Sequence, residues 1–169
     1  MIETPEESPG FLLWRLTLSW QRNVAAALQP LELTHVQFVL LASTWWLNTN
    51  DVHPTQIALA AQAGTDVKMT SQVIRTLERK GLVTRRVDAA DTRARRLVVT
   101  SAGASLAPRA IETVEAVDRA LLTPLSPTAA RAFTDVLHRL QPAAGGEHTP
   151  RIHQSTTSKP ATTGHGPAM

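Results

Sequence analysis

The chain holds 169 residues, with 17 Lys and Arg against 14 Asp and Glu and a formal charge of +3, which is enough chain for one domain with a substantial core. It contains no Cys, which excludes disulfides, thiolate zinc sites, iron–sulfur ligation and a cysteine redox switch. No apolar run approaches the ~20 residues that span a bilayer and no charged stretch precedes an apolar signal core, so a soluble cytoplasmic protein with no membrane partner is expected.

Residues 1–7 are acidic and proline-bearing and read as a flexible N-terminus. Ser8-Pro9 is a cap followed by a first helical residue, and Phe11 to Leu28 repeats apolar residues at three- and four-residue steps, among them Leu12, Leu16, Trp20 and Val24. Pro30 ends that helix. Thr34 is a good N-cap for a second helix, His35 to Leu47, which is apolar almost all round and therefore expected to be buried on several faces. Asn48 to Asp51 is a turn. Thr55 to Ala63, closed by Gly64, and Asp66 to Lys80, closed by Gly81, are two short helices. The period then changes: Leu82–Val87 and Arg96–Thr100 read as strands flanking a polar tip that contains Asp88, Asp91, Arg93 and Arg95. A long helix runs from Ser101 to about Leu122, with Pro108 predicting a bend. Ser126-Pro127 opens a last helix through Phe133, Val136, Leu137 and Leu140. From Ala143 onward the chain is mostly Ala, Gly, Thr, Ser, Pro and His, with Ile152 the one sizeable apolar residue before Met169. Such a composition does not bury enough surface to offset its ordering entropy, so 143–169 is expected to be a disordered tail.

Helix, turn, helix and hairpin in that order make a winged helix–turn–helix, here residues 34–100 in a mainly α fold. Flanking it are a helical segment at 8–33 and two helices at 101–142. Residues 66 to 96 hold nine Lys and Arg (Lys68, Arg75, Arg79, Lys80, Arg85, Arg86, Arg93, Arg95, Arg96) and four acids, a net +5, while the remainder carries −2. A basic module inside a mildly acidic chain is the electrostatic footprint of a nucleic-acid binder. In helix 66–80, Thr70, Val73, Ile74 and Leu77 form the inward stripe. Lys68, Ser71, Gln72, Arg75 and Arg79 lie opposite, and these side-chain types suit base edges and phosphates in a major groove. In the tip, Asp91 braces the loop or Arg93, while Arg93 and Arg95 point toward DNA backbone or minor groove. The flanking helices carry more apolar positions than one subunit covers, which predicts a homodimer. Its two reading helices should sit about one duplex turn (~34 Å) apart, on an inverted-repeat operator.

The run Asp66-Val-Lys-Met-Thr-Ser-Gln-Val-Ile-Arg-Thr-Leu-Glu-Arg-Lys-Gly-Leu-Val, followed by Asp91-Thr-Arg93-Ala and Leu97-Val-Val-Thr-Ser-Ala-Gly103, resembles the MarR family of bacterial transcriptional regulators, and the order of helices matches across about residues 10–141. The resemblance implies that the first and last helices interlock two subunits. It implies that the helix at 66–80 reads the major groove through Lys68, Ser71, Gln72 and Arg75, and that the wing, with Asp91 and Arg93, reaches the minor groove or its phosphates. One departure concerns the wing: Ala89 follows Asp88 where the family has an Asp-Pro turn. The resemblance also implies repression as the commoner outcome, and small aromatic or anionic effectors held between the dimer helices and the DNA-binding lobe.

For such an effector, Trp14, Trp20 and Trp45 are the candidate pocket residues, although aromatics at helical spacing more commonly fill a core. The histidines (His35, His53, His138, His148, His153 and His165) show no metal-ligand spacing within a helix, so no metal and no cofactor is expected. There is no nucleophile elbow, phosphate-binding Gly loop or HExxH, which argues against an enzyme. The alternative is a winged helix used for protein–protein contact without DNA binding, which would show no salt-dependent response to duplex.

Overall fold

The computed structural model describes Thr4, residues 7–88 and residues 91–141. The segments read above as the flexible N-terminus and the tail lie largely or wholly outside these residues. Six helices and one hairpin follow in chain order: α1 (Pro9–Leu28), a short 3-10 turn (Gln29–Leu31), α2 (His35–Thr49), α3 (Gln56–Ala63), α4 (Val67–Arg79), β1 (Val83–Val87), β2 (Arg95–Val99), α5 (Ser101–Leu122) and α6 (Pro127–Leu140).

Side-chain caps set the helix starts. The hydroxyls of Ser8, Thr34, Thr55, Thr100 and Ser126 and the carboxylate of Asp66 each accept a backbone N–H from the following first turn, satisfying donors that the helix itself leaves open. At α2 the cap is reciprocal, with Gln37 Oε1 accepting the Thr34 N–H, a capping box. Two stops use the left-handed region. Gly64 (φ 63°) ends α3 and Gly81 (φ 68°) follows the end of α4, positions where a Cβ would be strained. The segment before α2 turns the chain at Glu32, a non-glycine residue at φ 54°, and α1 and α2 meet at 71°. α2 runs two residues past the expected end at Leu47, β1 begins one residue later than expected and ends at Val87 as expected, and β2 begins and ends one residue earlier than expected. Pro108, expected to bend α5, lies on its exposed side and does not interrupt the helix.

One core holds the lobe together. Leu28, Leu40, Leu41, Leu59, Ile74, Leu77 and Leu97 are fully buried, joined by Val24, Val83, Ala107, Ala110 and Val114 from the adjoining elements. Truncating any one of these leucines leaves a void, at a cost of about 2–5 kcal/mol. α5 crosses both α1 and α2, and at its start Gly103 lies so close to Leu82 that a Cβ there would sit 2.0 Å from the Leu82 carbonyl oxygen. The same oxygen accepts the Thr100 N–H at 3.1 Å. This contact welds the start of the wing to the start of the long helix.

The hairpin is antiparallel, with Val83 opposite Val99 and Val87 opposite Arg95. The outer edge of β2 is engaged as well. Leu97 donates its N–H to the Pro54 carbonyl, and the Asn48 side chain accepts the Val99 N–H at 2.8 Å and donates to the Leu97 and Val52 carbonyls. One amide thus fastens the end of α2 to the wing.

The N-terminal half of α1 and all of α6 stand apart from this core. Leu12, Leu13, Trp14 and Leu16 on α1 and Val136, Leu137 and Leu140 on α6 are exposed, and α6 buries no residue. The spacing at Leu12 and Leu16 forms a true apolar stripe, but that stripe does not reach the core of its own subunit.

A candidate nucleic-acid interface

α4 is placed by its neighbours on three sides. Its inward stripe of Thr70, Ile74 and Leu77 is fully buried, and Val73 is half-buried against the core. Thr70 is satisfied by donating to the Asp66 carbonyl and by sharing a 2.8 Å hydrogen bond with Thr65, so a polar side chain is buried without an open group. The opposite face presents Lys68, Gln72, Arg75 and Arg79 to solvent, while Ser71 is half-buried at its margin. An exposed polar face on a helix anchored this firmly is a rigid surface.

The nine cations of residues 66–96 divide into two groups. Arg85 pairs with Glu78 at 3.5 Å and donates to Gln56. Arg96 pairs closely with Asp88 and donates to the His53 carbonyl. Lys80 donates to the Glu32 carbonyl and to Gln37 Oε1, and Arg79 to the Thr76 hydroxyl at 2.8 Å. Arg95 donates to the Thr92 carbonyl at 3.4 Å, a long contact within the tip. Lys68, Arg75, Arg86 and Arg93 make no side-chain hydrogen bond or ion pair among the described residues and are exposed. These four are the cations available to an incoming polyanion without first breaking an internal contact.

The tip itself is an Asx-type loop. The Asp91 carboxylate accepts the Arg93 backbone N–H at 3.0 Å, the Ala94 N–H goes to the Asp91 carbonyl, and the Asp88 N–H goes to the Ala94 carbonyl. Of the two expected roles for Asp91, the geometry gives bracing of the loop backbone; the Arg93 side chain is left extended into solvent. Asp88, read from the sequence as part of the polar tip, anchors Arg96 at its base. Arg86 was counted in the basic run but not singled out. Strand alternation was the signal, since Arg85 turns inward to Glu78 and the next residue must face outward.

The three tryptophans do not converge. Trp20 is half-buried and donates its Nε1–H to Asp118 Oδ1 at 2.7 Å. Its ring meets His35 edge-on with centroids 5.0 Å apart, and His35 stacks on Phe38. Trp45 packs on the outside of the core, and Trp14 is 56% exposed beside Phe11. Only Trp20 lines the groove between α1, α5 and α6, a space of about 390 Å³ walled by Leu13, Leu16, Leu121, Phe133 and Leu137, with Asp118 as its ionisable group. Burial lowers the pKa of His35 from its ordinary value of 6.5, opposed by the nearby Asp118 carboxylate. Thr34 caps α2 as expected, and the His35 imidazole is a packing group between Trp20 and Phe38. Among the described residues no cluster of three His, Asp or Glu could hold a metal ion. No single helix there is long and apolar enough to cross a membrane.

Comparison with known proteins agrees with this architecture. The family model described as "MarR family" matches residues 33–94. The uncharacterized HTH-type transcriptional regulator YdcH of Bacillus subtilis is 44% identical over 116 residues, 69% of this chain and 79% of the relative. The HTH-type transcriptional repressor Rv2887 of Mycobacterium tuberculosis is 31% identical over 131 residues, 78% of this chain and 91% of the relative. A crystal structure of Rv2887 with p-aminosalicylic acid superposes with a TM-score of 0.62 at 30% identity, covering 79% of this chain and 98% of that one. A MepR–DNA complex from S. aureus superposes with a TM-score of 0.71 at 22% identity, covering 79% and 96%, and attests the fold.

Proposed function

The chain belongs to the MarR family of winged helix–turn–helix transcriptional regulators, and from that premise we infer that it is a repressor that binds an inverted-repeat operator as a homodimer. The observation that carries this reading is the set of unpartnered cations Lys68, Arg75, Arg86 and Arg93, lying on the outer face of a tightly anchored helix and on the adjoining hairpin.

Gln72 and Arg75 take the base-edge contacts, for which an amide and a guanidinium have matched donor and acceptor geometry, while Lys68, Arg86 and Arg93 meet phosphates or the minor groove. Ser71 contributes from the margin of the reading face. Asp91 shapes the loop that presents Arg93, and Arg95 adds charge from the tip. The apolar faces of α1 and α6, exposed in one subunit, are covered by a second copy, and twofold symmetry then aims two α4 helices at successive turns of one duplex face.

Relatives solved with p-aminosalicylic acid and with salicylic acid support a small aromatic effector here too. Beside Trp20 the groove offers a carboxylate, Asp118, so it suits an uncharged aromatic better than an anion. A partner subunit lying over the same face would enclose such a ligand and let it alter the spacing of the two reading helices.

Selection of bound duplexes from a random pool tests the reading. A symmetric consensus with half-sites about 10 base pairs apart, and affinity that falls steeply between ~50 and ~200 mM salt, is the expected result. Recovery of no enriched sequence, with no salt-sensitive affinity for duplex, would refute it.

A further inference from the structure

α4 packs on α2, α3 and β1. Its polar connection to the elbow between α1 and α2 runs through one side chain. Lys80, the residue that caps the C-terminal end of α4, extends its ammonium to the carbonyl of Glu32 and to Gln37 Oε1, the latter at 3.0 Å. Neither acceptor is an incidental surface group. Glu32 is the left-handed residue at which the chain turns out of the 3-10 segment after α1. Gln37 is the capping-box residue that closes the first turn of α2. Among the described residues no other hydrogen bond joins α4 to this elbow. Lys80 is thus held by two oxygens on the segment where the dimer-bearing helix changes direction by 71° into the lobe.

The geometry points to Lys80 as a positioning residue: by clasping the elbow it fixes the angle between α1 and α4, and with it the half-site spacing that the dimer accepts. This rests on the proposed dimeric operator binding. The lever is long enough to matter. At 1.5 Å per residue, Lys68 lies about 18 Å along the helix axis from Lys80, so a 10° swing about the elbow moves the reading end by about 3 Å. One base-pair step along the axis is about 3.4 Å. A swing of that size would shift the register by about one step in each half-site. Lys80 keeps its charge, because both acceptors are neutral, but two of its three N–H donors are held by protein oxygens, so its role is to place the reading helix and not to grip a phosphate.

The test uses the full-length protein and the consensus selected above, with the half-site spacing lengthened and shortened by one and two base pairs. Wild type should bind the selected spacing at least tenfold more tightly than its one-step neighbours. Lys80→Met, which keeps the stem and removes the ammonium, should lose affinity at the selected spacing by about three- to tenfold and show less than threefold preference across the series. Its salt dependence should match wild type. Gln37→Met, which removes one acceptor, should flatten the series in the same direction, and Lys80→Arg should restore most of the preference. If Lys80→Met keeps the wild-type spacing profile, the inference is overturned. It is equally overturned if that variant loses the same factor at every spacing while the salt slope becomes shallower, because Lys80 would then contact phosphate directly. A wild-type protein with no spacing preference, or without duplex binding, instead removes the operator reading on which the inference stands.

Discussion

Gly103→Ala separates packing from helix propensity. In an exposed helix interior, replacing Gly by Ala stabilises by about 1 kcal/mol. At Gly103 the added methyl would lie 2.0 Å from the Leu82 carbonyl oxygen and 3.0 Å from its carbon, whereas a relaxed carbon–oxygen approach is about 3.3–3.6 Å. The two backbones must therefore part by more than 1 Å. The Leu82 oxygen is not free to yield, because it accepts the Thr100 N–H at 3.1 Å, and Thr100 in turn caps α5 and donates its hydroxyl to the Gly81 carbonyl. Overpacking against backbone costs about 3 kcal/mol and the weakened hydrogen bond about 1 kcal/mol. Against the propensity gain, the net loss is about 3 kcal/mol, or a fall in melting temperature of about 9–15 °C for a domain of this size. Circular dichroism melts of Gly103→Ala beside Ala116→Gly, an exposed site in the same helix, make the comparison. If propensity alone governed, the two variants would move in opposite directions. A Gly103→Ala protein melting at or above wild type would refute the close-approach argument.

Arg93→Ala should weaken binding to every duplex and, because a dimer loses two phosphate contacts, make the slope of log K against log salt shallower by about 1.8; fluorescence anisotropy across a salt series reads this directly. Gln72→Ala and Arg75→Ala should each cost about 1–3 kcal/mol on the selected operator and much less on random duplex, measured by competition binding; equal losses on both would make that residue a backbone contact. His35 gives a signed pH effect. Its pKa is lowered in the folded protein by burial, so between that value and 6.5 the unfolded chain binds more protons and stability must fall as the pH drops from 7 through this window. Urea melts should show the fall reduced in His35→Phe and enlarged in Asp118→Asn, which removes the carboxylate that partly opposes the shift. Trp20→Phe, which removes the 2.7 Å donor to Asp118, should lose about 1–3 kcal/mol in the same melts.

The sequence carried the local structure well, because local structure is made by near neighbours. Ser8, Thr34, Asp66 and Ser126 cap the helices whose first-turn donors lie three residues on, and Gly64 and Gly81 terminate or follow helices in conformations that side chains disfavour. The outward stripe of α4 was legible for the same reason: buried Ile74 and Leu77 leave only one face for Gln72 and Arg75. The contacts that were not legible join residues far apart in the chain. Trp20 finds Asp118 98 residues away and Lys80 finds Glu32 48 residues away, and no spacing rule connects such pairs. Charge counting also overstated the free cations, since Arg85 and Arg96 are paired with Glu78 and Asp88 in the fold. Of the three tryptophans, Trp20 lines the groove and the other two point elsewhere. Trp14 and Trp20 are six residues apart on α1, a spacing that turns them about 120° away from each other around a helix, and Trp45 packs on the outside of the core from α2.

The Asn48 amide and the Pro54 carbonyl have a consequence for colloidal behaviour. A two-stranded ribbon that projects from a domain offers bare main-chain groups along its flanks, and such flanks template β-sheet growth between molecules. Here one flank is already closed from within the subunit by a side chain and a turn. Arg86 in the other strand is exposed and unpaired among the described residues, and like charge repels an identical ribbon from a neighbouring molecule. The hairpin can therefore protrude from the lobe while remaining a poor seed for fibrils.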